Sequence, residues 1–293
     1  MTTSNPMLRN ATDEQLGLAV QENLFALFRA MTALPDSQIE ETPKLSRHLA
    51  SPTNPMYKGV WGTNLSPDEV ESAIHETVDW FRSRNAPFFF WWTGPGTAPE
   101  DMGGQLVKHG MIDMEGQSQH MAPGIKSTAA GAPGMIADLH TMNETVLTKV
   151  PQGFEMSDVQ NETDLQDFKR VLIEGYNMPA TMADGWVQSA HEFGIGKTPW
   201  RMVLGRLNGE PVATNIVMNG AGVVGVYGIA VTPSARGKGI GVAITLRPML
   251  DARYQDGYSY AVLFSTDMGT SVYQRIGFRV ADVRINRYLW RNQ

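Results

Sequence analysis

The chain of 293 residues contains no cysteine, which excludes disulfides, thiolate metal sites and a cysteine nucleophile, and is the usage expected of a cytoplasmic protein. Charge is sparse: only 18% of residues are charged, and the formal net charge of −6 has the wrong sign for a nucleic-acid binder. No apolar run approaches a membrane span; the longest, Phe88–Trp92 with its flanks, has the length of a buried strand. The acidic, amphipathic start lacks a hydrophobic signal core, so no secretion signal is expected. His48, His75, His109, His120 and His140 show no metal-ligand spacing. His140 and Glu144 lie four apart, but two ligands do not make a metal site. What is present is 42% hydrophobic content and enough length for two domains with their own cores.

The most informative stretch is 223–241. An apolar run ends at Val231, Pro233 breaks the ladder, and Arg236, Gly237, Lys238, Gly239 and Gly241 fall where a helix begins, expected over Val242 to about Asp256. A strand, a glycine loop and a helix N-terminus make an anion cradle. Free N–H groups converge there, the helix dipole adds positive potential, and missing Cβ atoms let a phosphate approach. The dinucleotide fingerprint fails because Val242 stands where its third glycine belongs, and the nucleotide-triphosphate loop fails because Gly239 follows Lys238.

What remains, Arg-x-x-Gly-x-Gly at 236–241, resembles the pyrophosphate loop of the GNAT (GCN5-related N-acetyltransferase) superfamily; an ordinary glycine-rich turn is the alternative. A second motif follows the strand expected at Tyr260–Ser265. Residues 270–278, Thr-Ser-Val-Tyr-Gln-Arg-Ile-Gly-Phe, resemble the short GNAT helix that ends in Tyr-x-x-x-Gly-Phe. Val272 and Ile276 share a helical face, and Gly277 stops the helix. Tyr273 is either a packed core aromatic or, as the resemblance implies, a functional phenol.

The expected fold is α+β with a mixed sheet, divided into a degenerate GNAT-like domain over 1–135 and a catalytic GNAT domain over 152–293. In the second domain the order is strand Phe154–Ser157, helices Asp164–Tyr176 and Thr181–Phe193, then strands Arg201–Leu207, Pro211–Asn219 and Val223–Val231. The anion loop, its helix and a final hairpin complete it. In the first, Thr12 and Gln15 suggest a capping box for a helix over 13–34 with an apolar stripe Leu16, Val20, Leu24, Leu27, Met31 and Leu34. A short strand is expected over Tyr57–Gly62. Ser66, Pro67 and Glu69 start a helix with Val70, Ile74, Val78 and Phe81 buried. Residues 88–121 then repeat the plan of 262–290, but Leu106 stands at the position of Tyr273 and no glycine loop precedes Phe88. A linker is read over Pro123–Gly134.

The resemblance implies an acetyl-CoA-dependent N-acetyltransferase, with acetyl-CoA or another acyl-CoA as co-substrate and no metal. The pyrophosphate would lie on Gly237, Lys238, Gly239, Ile240 and Gly241 with Arg236 nearby, and the pantetheine arm along Ile229, Ala230 and Val231. A neutral amine would attack the thioester directly, with a backbone N–H near Ile229 or Ala230 at the oxyanion. Tyr273 would protonate the departing thiolate. Many family members use a glutamate on the central strand as base, but Val223–Gly228 holds no carboxylate. Glu174, Asp184, His191 and Glu192 are the candidates, His191 the best by pKa; a solvated helix face is the alternative for each. Tyr227, Tyr176, Trp186 and Trp200 are candidates for the acceptor pocket, or for core, and Asp267 for a cap on the Tyr273 helix. The expected partner is a small-molecule amine, with no membrane or nucleic acid; a homodimer stays open. A non-catalytic acyl-CoA-binding sensor is the alternative function.

Overall fold

The structure is a computed structural model and describes residues 6–34, 37–50, 58–114, 132–265 and 267–292. Its elements form two compact units, each drawn from two pieces of the chain: Met1–Leu27 with Gly134–Asp282, and Phe28–Pro133 with Val283–Gln293.

The first unit carries the glycine loop. Its sheet contains, in spatial order, β6 (Ala132–Asp138), β11 (Tyr260–Phe264), β10 (Val223–Val231), β9 (Glu210–Gly220), β8 (Arg201–Leu207) and β7 (Phe154–Asp158). All neighbours run antiparallel except β10 and β11, which are parallel. This is the mixed sheet of an α+β fold. Helices α4 (Glu162–Tyr176) and α5 (Ala180–Phe193) accompany it, as do α6 (Ile240–Asp251) and α7 (Asp267–Ile276). Asn161 caps α4 through the Asp164 N–H at 3.0 Å, and Asn177 ends it in the left-handed conformation. Alternate residues of the central strands, Val203, Val217, Val224 and Val226, pack with Ile240, Ile244 and Met249 of α6. At about 25 cal/mol per Å² of apolar surface, each such side chain fully buried contributes about 2 kcal/mol.

The N-terminal helix α1, Asp13–Met31, has the expected reciprocal box: the Thr12 N–H donates to Gln15 Oε1 at 2.9 Å and the Gln15 N–H to Thr12 Oγ1 at 3.3 Å. Its stripe is buried throughout. The sequence-based division groups this helix with the N-terminal half, whereas residues 1–27 cluster with 134–282. The reason is close packing on glycines: a Cβ on Gly220 would lie 2.8 Å from Ala26 Cβ, and one on Gly225 1.8 Å from Asn23 Oδ1.

The second unit repeats the sheet plan. β1 (Gln38–Glu41), β2 (Ser46–Leu49) and β3 (Lys58–Trp61) are antiparallel, β3 and β4 (Phe88–Thr93) are parallel, and β4 pairs antiparallel with Asn286–Arg291 of β12, as does β5 (Ile112–Asp113). Helices α2 (Val70–Arg82) and α3 (Met102–Lys108) bury Ile74, Phe81 and Leu106 in its core. Regular helix in α2 starts after Glu69, whose carboxylate takes the Ser66 N–H at 2.9 Å and the Ser66 hydroxyl at 2.8 Å.

Two expectations are corrected. The final hairpin is one strand, β12, Arg279–Arg291, because no glycine or proline interrupts those thirteen residues. The end of the presumed linker, Ala132–Gly134, opens β6, whose Gly134 to Asp138 pair with β11; the strand expected over Tyr57–Gly62 is β3, Lys58–Trp61, while Tyr57, the readings between Met114 and Met121, and Pro123–Gly131 lie outside the described residues.

Candidate active site

The site begins where β10 leaves β11. Only Val224↔Ala261 and Gly225↔Val262 are paired, yet β10 runs on for six residues to Val231. From Val226 onward its edge toward β11 is unpaired, while Ala230 and Val231 still pair with Thr214 and Ala213 of β9. The β9 ladder slips between Tyr227 and Ala230, and the bulge is held by the Thr214 hydroxyl donating to Gly228 O at 2.8 Å. A cleft flanked by an open strand edge accepts an extended ligand by backbone hydrogen bonds.

At the end of β10 the chain turns through Pro233–Ala235 into the glycine loop. Gly237 and Gly239 have φ of +75° and +80°, and Gly239 directly precedes α6 without a side-chain cap. The N–H groups of Gly237, Lys238 and Gly239 meet no acceptor among the described residues, and those of Ile240 and Gly241 belong to the unpaired first turn of α6. A Cβ built on Gly237 would touch nothing within 4 Å, so the space over the loop is open. Five donors, a helix N-terminus and the exposed Lys238 are gathered within these five residues. Arg236 serves the frame: its guanidinium donates to Gly175 O at 2.6 Å and Val231 O at 3.2 Å, tying the end of β10 to the end of α4. The contact requires Gly175, where a Cβ would lie 2.7 Å from Ala230 Cβ.

Tyr273 projects from α7, whose last turn closes with Phe278 N–H donating to Tyr273 O and with Gly277 at φ +113°. Its ring meets Phe278 edge-on at 5.9 Å. Burial pushes its pKa up to about 12, so the phenol stays protonated at any physiological pH. Tyr176, at the end of α4, is also raised, by burial and then by its nearness to Tyr273. The tyrosine motif and the end of α4 thus come together.

His191 does not join them. Its Nε2 is 2.7 Å from Glu162 at the start of α4, with side chains 48% and 56% exposed. Glu162 is thirteen residues from Gly175, about 20 Å along a helix. Every other base candidate is likewise engaged on exposed helix surface: Glu174 with Arg170 at 3.6 Å, Asp184 with Lys169 at 2.6 Å, and Glu192 with Gln188 at 2.8 Å. Trp186 and Trp200 are buried and meet edge-on with centroids 5.6 Å apart, and the partly buried Phe193 meets Trp200 edge-on at the same distance. Asp267 opens α7; its side chain lies outside the description. A cavity of about 300 Å³ lined by Asp158, Trp200, Arg201 and Asp251 sits near the opposite end of α6 from the loop, with Arg201 already bonded to both aspartates.

Two residues escape sequence motifs. Lys149 brings its carbonyl to 3.4 Å from a Cβ on Gly239, flooring the loop from ninety residues upstream, with no sequence signal. Asn23 is fully buried and accepts the Tyr227 hydroxyl at 2.7 Å. Its signal was legible: a polar residue inside the stripe Val20, Leu24, Leu27.

No family model and no curated protein matches the sequence. Among solved structures, a GCN5-related N-acetyltransferase from Kribbella flavida is similar at 17% identity, with 95% of this chain and 97% of that one covered and a TM-score of 0.67. One from Sphaerobacter thermophilus is 14% identical over 98% and 94% of the chains, TM-score 0.57. A tandem GNAT protein from the clavulanic acid biosynthesis pathway is 11% identical over 92% and 94%, TM-score 0.55. The fold is that of the GCN5-related N-acetyltransferases. The chain carries it in tandem form.

Proposed function

We propose that the protein is an acyl-CoA-dependent N-acyltransferase, with acetyl-CoA the expected donor and a small-molecule amine the acceptor. The observation that carries this reading is the parting of β10 from β11 after Gly225, in a strand that ends at a glycine loop with unsatisfied N–H donors. An elongated ligand ending in a diphosphate matches both features. Coenzyme A would supply an acyl group already activated as a thioester.

The chain's own residues divide the work. The N–H groups of Gly237 to Gly241 hold the pyrophosphate, with Lys238 adding charge. The open edge of Ile229, Ala230 and Val231 aligns the pantetheine arm. Tyr273, a phenol that is protonated at neutral pH, gives its proton to the departing sulfur. No carboxylate on β10 and no unengaged base from α4 or α5 accompanies it, so we assign amine deprotonation to water and give His191 no catalytic role.

That same shortage of a base favours a second reading, an acyl-CoA-binding sensor without turnover. Calorimetry with CoA and thiol release from acetyl-CoA over an amine panel separate the two. Binding with turnover that Tyr273→Phe slows supports the enzyme; binding with no turnover on any amine supports the sensor; no binding sinks both.

A further inference from the structure

The Asn23 side chain has one workable orientation. Its Nδ2 donates to Met218 O at 3.0 Å and Gly220 O at 2.9 Å, with Val223 O at 3.3 Å. An oxygen in that place would face three carbonyl oxygens in a fully buried setting, so the amide cannot be flipped. Oδ1 therefore points to the Tyr227 hydroxyl, 2.7 Å away, and can only accept. The single phenol proton of Tyr227 is committed to Asn23, which leaves its oxygen with lone pairs alone to offer.

Tyr227 lies in the part of β10 beyond the last pair with β11. Neighbouring residues of a strand face opposite sides; Val226 packs under α6, so Tyr227 is on the other side, the one it shares with Gly225 and with Asn23 of α1. The residue is half-buried, and burial also raises its pKa, so its oxygen stays neutral. Leaving such an oxygen without a donor when the cleft is filled is unfavourable.

Resting on the acyltransferase reading, we propose that Tyr227 is the amine-recognition residue of the site: Asn23 holds its oxygen as a pure acceptor, and that oxygen takes an N–H of the incoming amine. A primary amine satisfies it and keeps its nitrogen lone pair for attack on the acyl group. Ligands that offer only acceptor atoms are rejected. Asn23 is the positioning residue, acting through Tyr227.

The test compares the wild type, Tyr227→Phe and Asn23→Leu. CoA affinity by calorimetry is expected to agree within twofold between wild type and Tyr227→Phe; failure of the wild type to bind CoA would sink the acyltransferase reading itself. With benzylamine, tryptamine, spermidine and glucosamine at saturating acetyl-CoA, Tyr227→Phe should raise the amine KM tenfold or more with kcat changed less than threefold. An unchanged KM overturns the proposal, as does a kcat loss at constant KM. Saturation-transfer NMR on the CoA-loaded proteins gives a readout independent of turnover. The wild type should bind benzylamine over benzyl methyl ether, and Asn23→Leu, which frees the phenol proton, should narrow that preference. Equal responses from all three proteins, including none from any, overturn it.

Discussion

The Tyr227 hydroxyl donates to the Asn23 side-chain carbonyl at 2.7 Å, joining residues 204 positions apart. The bond needs a glycine beneath it. A Cβ on Gly225 would fall 1.8 Å from Asn23 Oδ1 and 2.8 Å from Tyr227 Cε2. Gly225→Ala is therefore expected to displace Asn23 and to destabilise the fold by about 1–3 kcal/mol, the usual cost of overpacking. Urea unfolding at neutral pH measures it; an unchanged midpoint would show that α1 does not press on β10 there.

The glycine loop makes the sharpest ligand prediction. Gly239→Asp puts a side chain on a residue at φ +80° and a negative charge beside the loop donors. CoA affinity should fall at least tenfold, or about 1.4 kcal/mol. The lost contribution is mostly electrostatic, so Gly239→Asn should lose less. Calorimetry on both variants checks the order, and equal affinities would place the diphosphate elsewhere.

Gly175→Ala tests the frame rather than the ligand contacts. The new methyl would lie 2.7 Å from Ala230 Cβ and 3.1 Å from Val231 N, against backbone that cannot rotate away. The end of α4 must shift, and the Arg236 bond to Gly175 O stretches with it. A stability loss of about 1–3 kcal/mol is expected, together with weaker CoA binding. Thermal unfolding with and without CoA separates the two effects.

Tyr273→Phe removes one oxygen from a ring that is otherwise packed on Phe278. CoA affinity and thermal midpoint should hardly move, while kcat falls about 100-fold, the lower end of what a general acid contributes. A variant that keeps full kcat would return Tyr273 to a packing role.

What the sequence disclosed and what it hid divide along local and non-local lines. The loop at 236–241 and the helix ending at Gly277 are short-range patterns, because positive φ at a helix start and a helical stop are set by the residues there. The strands from Arg201 to Val231 were likewise legible from their turns. The membership of β6 in the sheet with β11, the docking of Asn23 on Gly225 and the pairing of His191 with Glu162 depend on contacts distant in sequence. His191 attracted attention as a histidine on a helix near the expected acceptor, but the rotation of α5 faces it toward a surface carboxylate. Periodicity marks a buried face without saying what it is buried against.

Alkaline pH offers a last test, because burial raises Tyr273, Tyr176 and Tyr227 together. An unfolded tyrosine ionises near 10. Between that value and about 12 for Tyr273, the unfolded chain has released its proton while the folded chain retains it. Unfolding is then favoured, so stability holds below pH 10 and declines as pH rises through 12, with Tyr176 and Tyr227 acting in the same direction. Urea midpoints at pH 9 and pH 11 should differ, and the difference should shrink in Tyr273→Phe. Phenolate absorbance of the folded protein should lag that of the unfolded chain over the same range. A wild type and a Tyr273→Phe variant with the same alkaline slope would mean that the Tyr273 hydroxyl is as solvated in the folded protein as in the unfolded chain.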